Sequence, residues 1–272
     1  MIYQQILFEN IPSDVTYMLI AQLSVLEYEG FEEDAHNLKA FIPQLCFNQD
    51  QLDDLCRRFG VSCSVSLLPD VNWNHIWEAN FQPVTVDDFC TIRADFHAPA
   101  TATKHEIVIT PKMSFGTGHH PTTYMMIRQM GVIDFVNRSV MDFGTGTGVL
   151  AILAEKLGAA NVLATDNDDW CIENAGENLL KNHTKVTQII KADTVAATDR
   201  TFDVILANIT RNIILDNFPF FVSRLSSKGV LLLSGLLVED EAAIMNEAAA
   251  SGFSVESRLL QDKWICLKLF LL

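Results

Sequence analysis

Chemistry is concentrated between Val140 and Asp166, where the chain reads V-M-D-F-G-T-G-T-G-V-L-A-I-L-A-E-K-L-G-A-A-N-V-L-A-T-D. A short apolar strand is expected to end at Asp142. Gly144, Gly146 and Gly148 follow at alternate positions, then an apolar helix from Val149 to Leu157, closed by Gly158. A second strand, Asn161 to Thr165, ends on Asp166. Glycines let a ligand approach the backbone without meeting a Cβ. The free N–H groups opening the next helix favour electron-rich ligand groups. An acid at the tip of the second strand can accept both hydroxyls of a ribose, and Asp166 stands near the distance from Gly144 that such units use. The stretch reads as the nucleotide-binding half of a doubly wound sheet.

A dinucleotide site asks for G-x-G-x-x-G or A, and the last small residue is replaced here by Val149. The chain instead has an acid two residues before the first glycine. D-x-G-x-G-x-G resembles the first motif of the class I methyltransferases, which bind S-adenosylmethionine. That resemblance implies that Asp142 and the turn with Gly144 and Gly146 hold the methionine end of the cofactor.

The elements that must position this motif follow from the rest of the chain. Residues 2–8 read as a strand, and Ser13 and Asp14 can cap a helix running to about Glu27, before the break at Gly30. Short strands are predicted around Phe31–Glu33 and Leu38–Ile42. Asn48 then caps a helix from Gln49 to Phe59, stopped by Gly60, with Leu52, Leu55, Cys56 and Phe59 at helical spacing. Val61 to Leu68 alternates as a half-buried strand. The order strand–helix–strand–strand–helix–strand is a split βαβ of ferredoxin-like type. The expected organisation is a small α+β domain over 1–69, a connector over 70–82 and an α/β domain over 83–272. The connector carries Trp73, Trp77 and Phe81 four residues apart, a face that would pack against the next domain.

A strand pair interrupted by Asp87-Asp88 is expected next, then a strand over Glu106–Thr110. It leads into a second glycine loop, F-G-T-G-H-H-P-T-T, with Pro121 at the first position of a helix and Thr122 and Thr123 in its first turn. After Asp166, Asp168 caps a helix. Further strands are expected at Val186–Ile190, ending near Asp193, at Phe202–Ala207, ending at Asn208, and at Val230–Ser234, before a helix over Glu239–Ala250. Phe253–Leu260 and Trp264–Phe270 read as an antiparallel pair. Open α/β sheets bind ligands at the carboxyl ends of their strands. Asp142, Asp166, Asp193 and Asn208 all fall there, which points to one composite site.

Composition bounds the partners. The 272 residues carry a net charge of −15, which disfavours direct nucleic-acid binding and favours a basic partner. No uncharged apolar run of membrane-spanning length occurs, so no membrane association is expected. The first ten residues lack the basic start and apolar core of a signal peptide, and the six cysteines show no C-x-x-C pair. A cytoplasmic protein with reduced thiols is expected. The adjacent His119 and His120 point apart as chain neighbours, and no His/Cys spacing suggests a metal.

The segments F-G-T-G-H-H-P-T-T, D-F-G-T-G-T-G-V-L-A-I-L-A, D-N-D and D-V-I-L-A-N-I together resemble the methyltransferases of the eleventh large-subunit ribosomal protein, the PrmA family, over roughly residues 73–272. The N-terminal module matches that family's substrate-recognition domain in size and pattern. The resemblance implies a class I methyltransferase sheet and cofactor contacts at Thr123, Gly144, Asp166 and Asn208. It also implies methylation of lysine ε-amines and an α-amine on a basic ribosomal protein; a monomer is expected. Asn208 would then belong to the reaction centre. Family members usually have Thr at the position of His119 and Leu-Ala at the positions of Thr210-Arg211, beside the expected acceptor pocket. The rival enzyme reading is a class I methyltransferase acting on another protein or a small molecule. A nucleobase enzyme would carry N/D-P-P-Y/F where this chain has N-I-T-R. A binding protein without turnover is the rival from outside the enzymes.

Overall fold

A computed structural model of the chain describes residues 2–33, 36–68, 81–112 and 114–272. The chain divides into two compact units, Met1–Ala79 and Asn80–Leu272.

The first unit is a four-stranded antiparallel sheet in the order β2-β3-β1-β4, with β1 Tyr3–Phe8, β2 Gly30–Glu33, β3 Leu38–Pro43 and β4 Cys63–Leu68. This is the split βαβ arrangement read from the element order. The helix Gln49–Phe59 begins at Asn48, whose side chain accepts from the N–H groups of Asp50 and Gln51, and ends at Gly60 in the left-handed conformation. The helix Ser13–Val25 has Pro12, not Ser13 or Asp14, at its N-cap position. Ile6, Phe8, Leu19, Leu23, Leu38 and Ile42 anchor the core. β4 corrects an expectation. Its V-S-C-S-V-S alternation suggests a half-buried strand, yet four of its six residues are exposed, Leu67 at 51%. β4 is an edge strand, so its alternating side chains meet a neighbour on one flank only.

The second unit opens with a three-stranded sheet, β5 Val84–Val86, β6 Cys90–Ala94 and β7 His105–Ile109, in which β5 and β6 form the expected pair across Asp87-Asp88. Phe81 is buried in this unit's core, while Trp73 and Trp77 lie outside the described residues. The main sheet has seven strands in the order β10-β9-β8-β11-β12-β14-β13: β8 Ser139–Phe143, β9 Asn161–Asp166, β10 Thr187–Lys191, β11 Phe202–Asn208, β12 Leu225–Leu237, β13 Phe253–Gln261 and β14 Trp264–Leu271. β8 to β12 run parallel, and β14 is antiparallel to both of its neighbours. Successive strand residues face opposite sides of a sheet. On β11, Val204 and Leu206 accordingly join one core, while Ile205 and Ala207 join the other. Helices Pro121–Met130 and Val149–Lys156 cover the first face, and Arg211–Arg224 and Glu241–Ala250 the second. The class I methyltransferase architecture is thereby in place. Among the described residues no helix is long and apolar enough to cross a membrane.

The helix Arg211–Arg224 escapes a reading by turn signals because Pro219 lies inside it. Its buried residues Ile214, Asn217, Phe218 and Phe221 keep helical spacing nonetheless. The proline removes one backbone donor and crowds the preceding turn, at an interior cost of about 3 kcal/mol. Its own side chain is exposed, so Pro219→Ala should stabilise the protein by about 1–2 kcal/mol after the greater freedom of the unfolded variant is subtracted. The expected result is a melting temperature raised by roughly 2–4 °C per kcal/mol. An unchanged or lowered melting temperature would show that the helix is already bent to fit proline.

Candidate active site at the carboxyl edge of the sheet

The glycine turn leaves β8 with Gly144, Gly146 and Gly148 all at positive φ. Space as well as conformation demands glycine at the first two. A Cβ on Gly144 would collide with the Ile209 side chain, and one on Gly146 with the carbonyl oxygen of Phe115. Backbone hydrogen bonds hold the turn. Gly144 and Thr145 donate N–H bonds of 2.9 and 2.8 Å to the Thr165 carbonyl at the end of β9. From the other side Thr147 donates its N–H to Phe115 O and its hydroxyl to Gly116 O, at 3.0 and 2.8 Å. The second glycine loop is thus pinned onto the first.

A cavity of about 450 Å³ opens above this turn. Gly144, Gly146, Asp166, Asp193 and Asn208 line it, so five of the residues singled out in the sequence come together. Asp166 accepts from the Gly146 N–H through Oδ2 at 2.9 Å and from the Asp168 N–H through Oδ1 at 3.1 Å. Asp193 stands exposed on the wall. Asn208, at the end of β11, donates through Nδ2 to Thr123 Oγ1 at 3.3 Å, while its buried Oδ1 has no partner. A small adjoining cavity is lined by Thr123, Gly144 and Asn208, so Thr123 stands behind the main wall.

Asp142 corrects the expectation of a direct contact at the methionine end. It is completely buried and does not line the cavity. Its Oδ2 accepts from Thr145 Oγ1 at 2.5 Å and from the Ala151 N–H at 3.1 Å. It therefore ties the glycine turn to the first turn of the following helix. Burial pushes its carboxyl up to about 7, with a smaller upward push from Asp166, against the lowering effect of the two hydrogen bonds.

Sequence reasoning missed part of the wall. Phe115, His120 and Trp264 form an aromatic side to the cavity. The His120 ring lies edge-on to Phe115 with centroids 5.2 Å apart and edge-on to Trp264 at 4.7 Å. Its Nδ1 accepts from the Thr122 N–H at the head of the helix Pro121–Met130, and burial lowers its pKa. Both effects favour the neutral ring at pH 7. His119 instead is exposed, its ring edge against Phe81, and is no part of the wall. Thr210 lines the cavity, whereas Arg211 turns away to pair with Asp240 at 3.1 Å. The signal for the histidine was its place before Pro121. Nothing local marked Trp264, which arrives from the last strand.

A family model described as ribosomal protein L11 methyltransferase (PrmA) matches residues 3–270. The chain belongs to the ribosomal protein L11 methyltransferase family. It is 38% identical to the ribosomal protein L11 methyltransferase of Porphyromonas gingivalis, over 92% of this chain and 89% of that one. Against the protein of the same name from Chlorobaculum tepidum it is also 38% identical, over 94% and 92% of the two chains. The crystal structure of the ribosomal protein L11 methylase from Lactobacillus delbrueckii is similar with a TM-score of 0.65 at 30% identity, over 70% of this chain and 98% of that one. In this member of the family the carboxyl edge of the sheet carries the cavity.

The Asp142 carboxyl sets a pH dependence. Unfolded, it would titrate near the ordinary aspartate value of about 3.9. Between that value and about 7 the folded protein keeps a proton that the unfolded chain has lost. Stability therefore falls as pH rises through this window, by as much as about 4 kcal/mol at 1.36 kcal/mol per unit. Asp142→Asn keeps the acceptor and has no proton to lose. Its melting temperature should gain on the parent's steadily from pH 5 to pH 7.5. Parallel melting profiles across that range would mean that Asp142 ionises freely in the fold.

Proposed function

We propose that this chain transfers methyl groups from S-adenosylmethionine to amine nitrogens of ribosomal protein L11, the lysine ε-amines and the N-terminal α-amine. The observation that carries this reading is a single cavity joining a glycine turn and a ribose-height carboxylate, Asp166, to an unpartnered buried acceptor, Asn208 Oδ1. The turn has room for a ligand and none for a Cβ at Gly144 or Gly146, which suits close approach of the cofactor to the backbone. Asp166 would accept the ribose hydroxyls, and Asp193 would stand toward the base. Thr123 and Asn208 would flank the methionine end, with Asp142 holding the turn from beneath.

When bound, the cofactor supplies an electrophilic methyl on a positively charged sulfur. The protein's task is to deliver a neutral amine in line with that methyl. A free lysine has a pKa near 10.4, so its neutral form at pH 7 lies about 4.6 kcal/mol uphill. An α-amine, with a pKa near 8, lies only about 1.4 kcal/mol uphill. Asn208 Oδ1 can accept an N–H of the incoming amine and fix its direction. Phe115, Trp264 and neutral His120 offer apolar ring surface to the methylenes of a lysine and keep water from the reacting atoms. The amine proton leaves to solvent.

The first unit fits the role of holding the protein substrate. Residues 1–79 carry twelve acidic and three basic side chains. That field suits a basic ribosomal protein and should speed its encounter.

Three measurements test the proposal. Titration calorimetry of Asp166→Ala with S-adenosylmethionine should show affinity lowered roughly 10- to 150-fold, the worth of lost charge-assisted hydrogen bonds at about 1.5–3 kcal/mol. Unaltered affinity would remove Asp166 from the ribose site. Asn208→Ala should leave the melting temperature almost unchanged and slow single-turnover methylation of L11 on the order of 100-fold, as misplaced reacting groups do. A stable and fully active variant would exclude Asn208 from the reaction centre. Association with L11 should slow as salt rises over a few hundred millimolar; a salt-independent rate would rule out electrostatic steering.

A further inference from the structure

The helix Asp169–Lys181 and its C-cap carry asparagines at positions 174, 178 and 182, one every fourth residue. Asn174 and Asn178 are completely buried. Asparagine inside a helix is unfavourable by propensity, and three on one face call for a reason. They all turn toward the free edge of β7, which pairs with β6 on its other side only. Asn182 accepts from the Val108 N–H through Oδ1 at 3.0 Å and donates through Nδ2 to the Val108 carbonyl at 2.6 Å. Two residues on, Asn178 Oδ1 accepts from the Thr110 N–H at 2.7 Å, and Asn174 Nδ2 donates to the Thr110 carbonyl at 3.2 Å. Four residues of helix rise about 6 Å, and two residues of strand span about 6.6 Å. The side-chain amides therefore keep step with the backbone groups on the open edge. The helix stands in for a missing neighbouring strand.

Asn178 does one thing that Asn182 does not. Its Nδ2 donates to the carbonyl of Thr147, in the glycine turn, at 2.8 Å. One buried amide thus joins Thr110, where the second glycine loop leaves β7, to Thr147, which itself holds Phe115 and Gly116 of that loop. The same helix starts just beyond Asp166, whose carboxylate lines the cavity. The geometry points to Asn178 as a positioning residue for the cofactor. It fixes the distance between the glycine turn, the Phe115 loop and the helix that follows the ribose carboxylate, without touching the ligand.

This inference rests on the cofactor reading given above, and the test separates the two. Asn182→Ala, which removes hydrogen bonds to the same edge strand but none to the turn, is the control. Asn178→Asp keeps the acceptor for Thr110 and sets an oxygen against the Thr147 carbonyl. Asn178→Ala removes both links. The two Asn178 variants should raise the dissociation constant and KM for S-adenosylmethionine about tenfold or more, in keeping with the sensitivity of sites to small displacements. Asn182→Ala should lower the melting temperature comparably and leave both constants at the parental value. In the parent, S-adenosylmethionine should slow amide hydrogen exchange at Thr110 more than at Val108, a reading that needs no variant to fold. Parental affinity in a folded Asn178 variant, equal loss of affinity in Asn182→Ala, or equal protection of Val108 and Thr110 would each overturn the assignment. A parent that fails to bind S-adenosylmethionine would defeat the cofactor reading instead.

Discussion

The architecture depends on how closely the backbone of β8's glycine turn must approach its neighbours. Gly144 lies against Ile209 and Gly146 against the Phe115 carbonyl, with no room for a methyl group at either. This contact brings three distant parts of the chain to one point: the turn itself, the loop before Pro121 and the loop after β11. A side chain at either glycine would push these loops apart, and the cavity lies between them. Asp142 from beneath and Asn178 from the side hold the turn at this separation. The site is best seen as three loops clamped around a bare backbone, with the polar groups that meet the ligand set on their rims.

Electrostatics divides between the clamp and the wall. Asp142, shut away from water, holds its proton up to about pH 7, so below neutrality the clamp adds little negative charge beneath the cavity. Asp166 and Asp193 stand on the cavity surface where solvent can reach them. Three strand-end acids thus serve different ends because Asp142 is buried and Asp166 and Asp193 are not. Burial at the head of a helix likewise keeps His120 neutral and lets it behave as another ring in the aromatic wall.

Much of this was legible from the residue order. The glycine spacing, the acid ending β9 and the asparagine ending β11 carry their chemistry in sequence, because each sits where a strand meets a loop and repeats a local geometric need. The split βαβ of the first unit and the closing antiparallel pair followed from alternation and turn signals, whereas the order of the seven strands came only with the structure. What escaped has physical causes. Trp264 reads as an ordinary strand aromatic, and only the antiparallel pairing of β14 brings it to the cavity. Asp142 looks like a ligand group until its depth is known. The helix Arg211–Arg224 is disguised by Pro219, although its buried side keeps the right spacing. β4 shows that alternation gives a strand's two faces but not whether anything covers them. The helix after Asp168 is expected, but nothing in it marks its asparagines, whose partners lie some 65 to 75 positions earlier in the chain.

The strand order has a bearing on how the molecule is made. β14 runs between β12 and β13, so the last strand in sequence is an interior strand of the sheet. A chain emerging from its N-terminus has the glycine turn, Asp166 and Asn208 long before the strand that carries Trp264. Until β14 arrives, β12 has an open hydrogen-bonding edge and the aromatic wall is incomplete. The closing contacts also join residues far apart in sequence, which slows folding. The aromatic side of the chamber therefore waits on β14, the same strand that covers the open edge of β12.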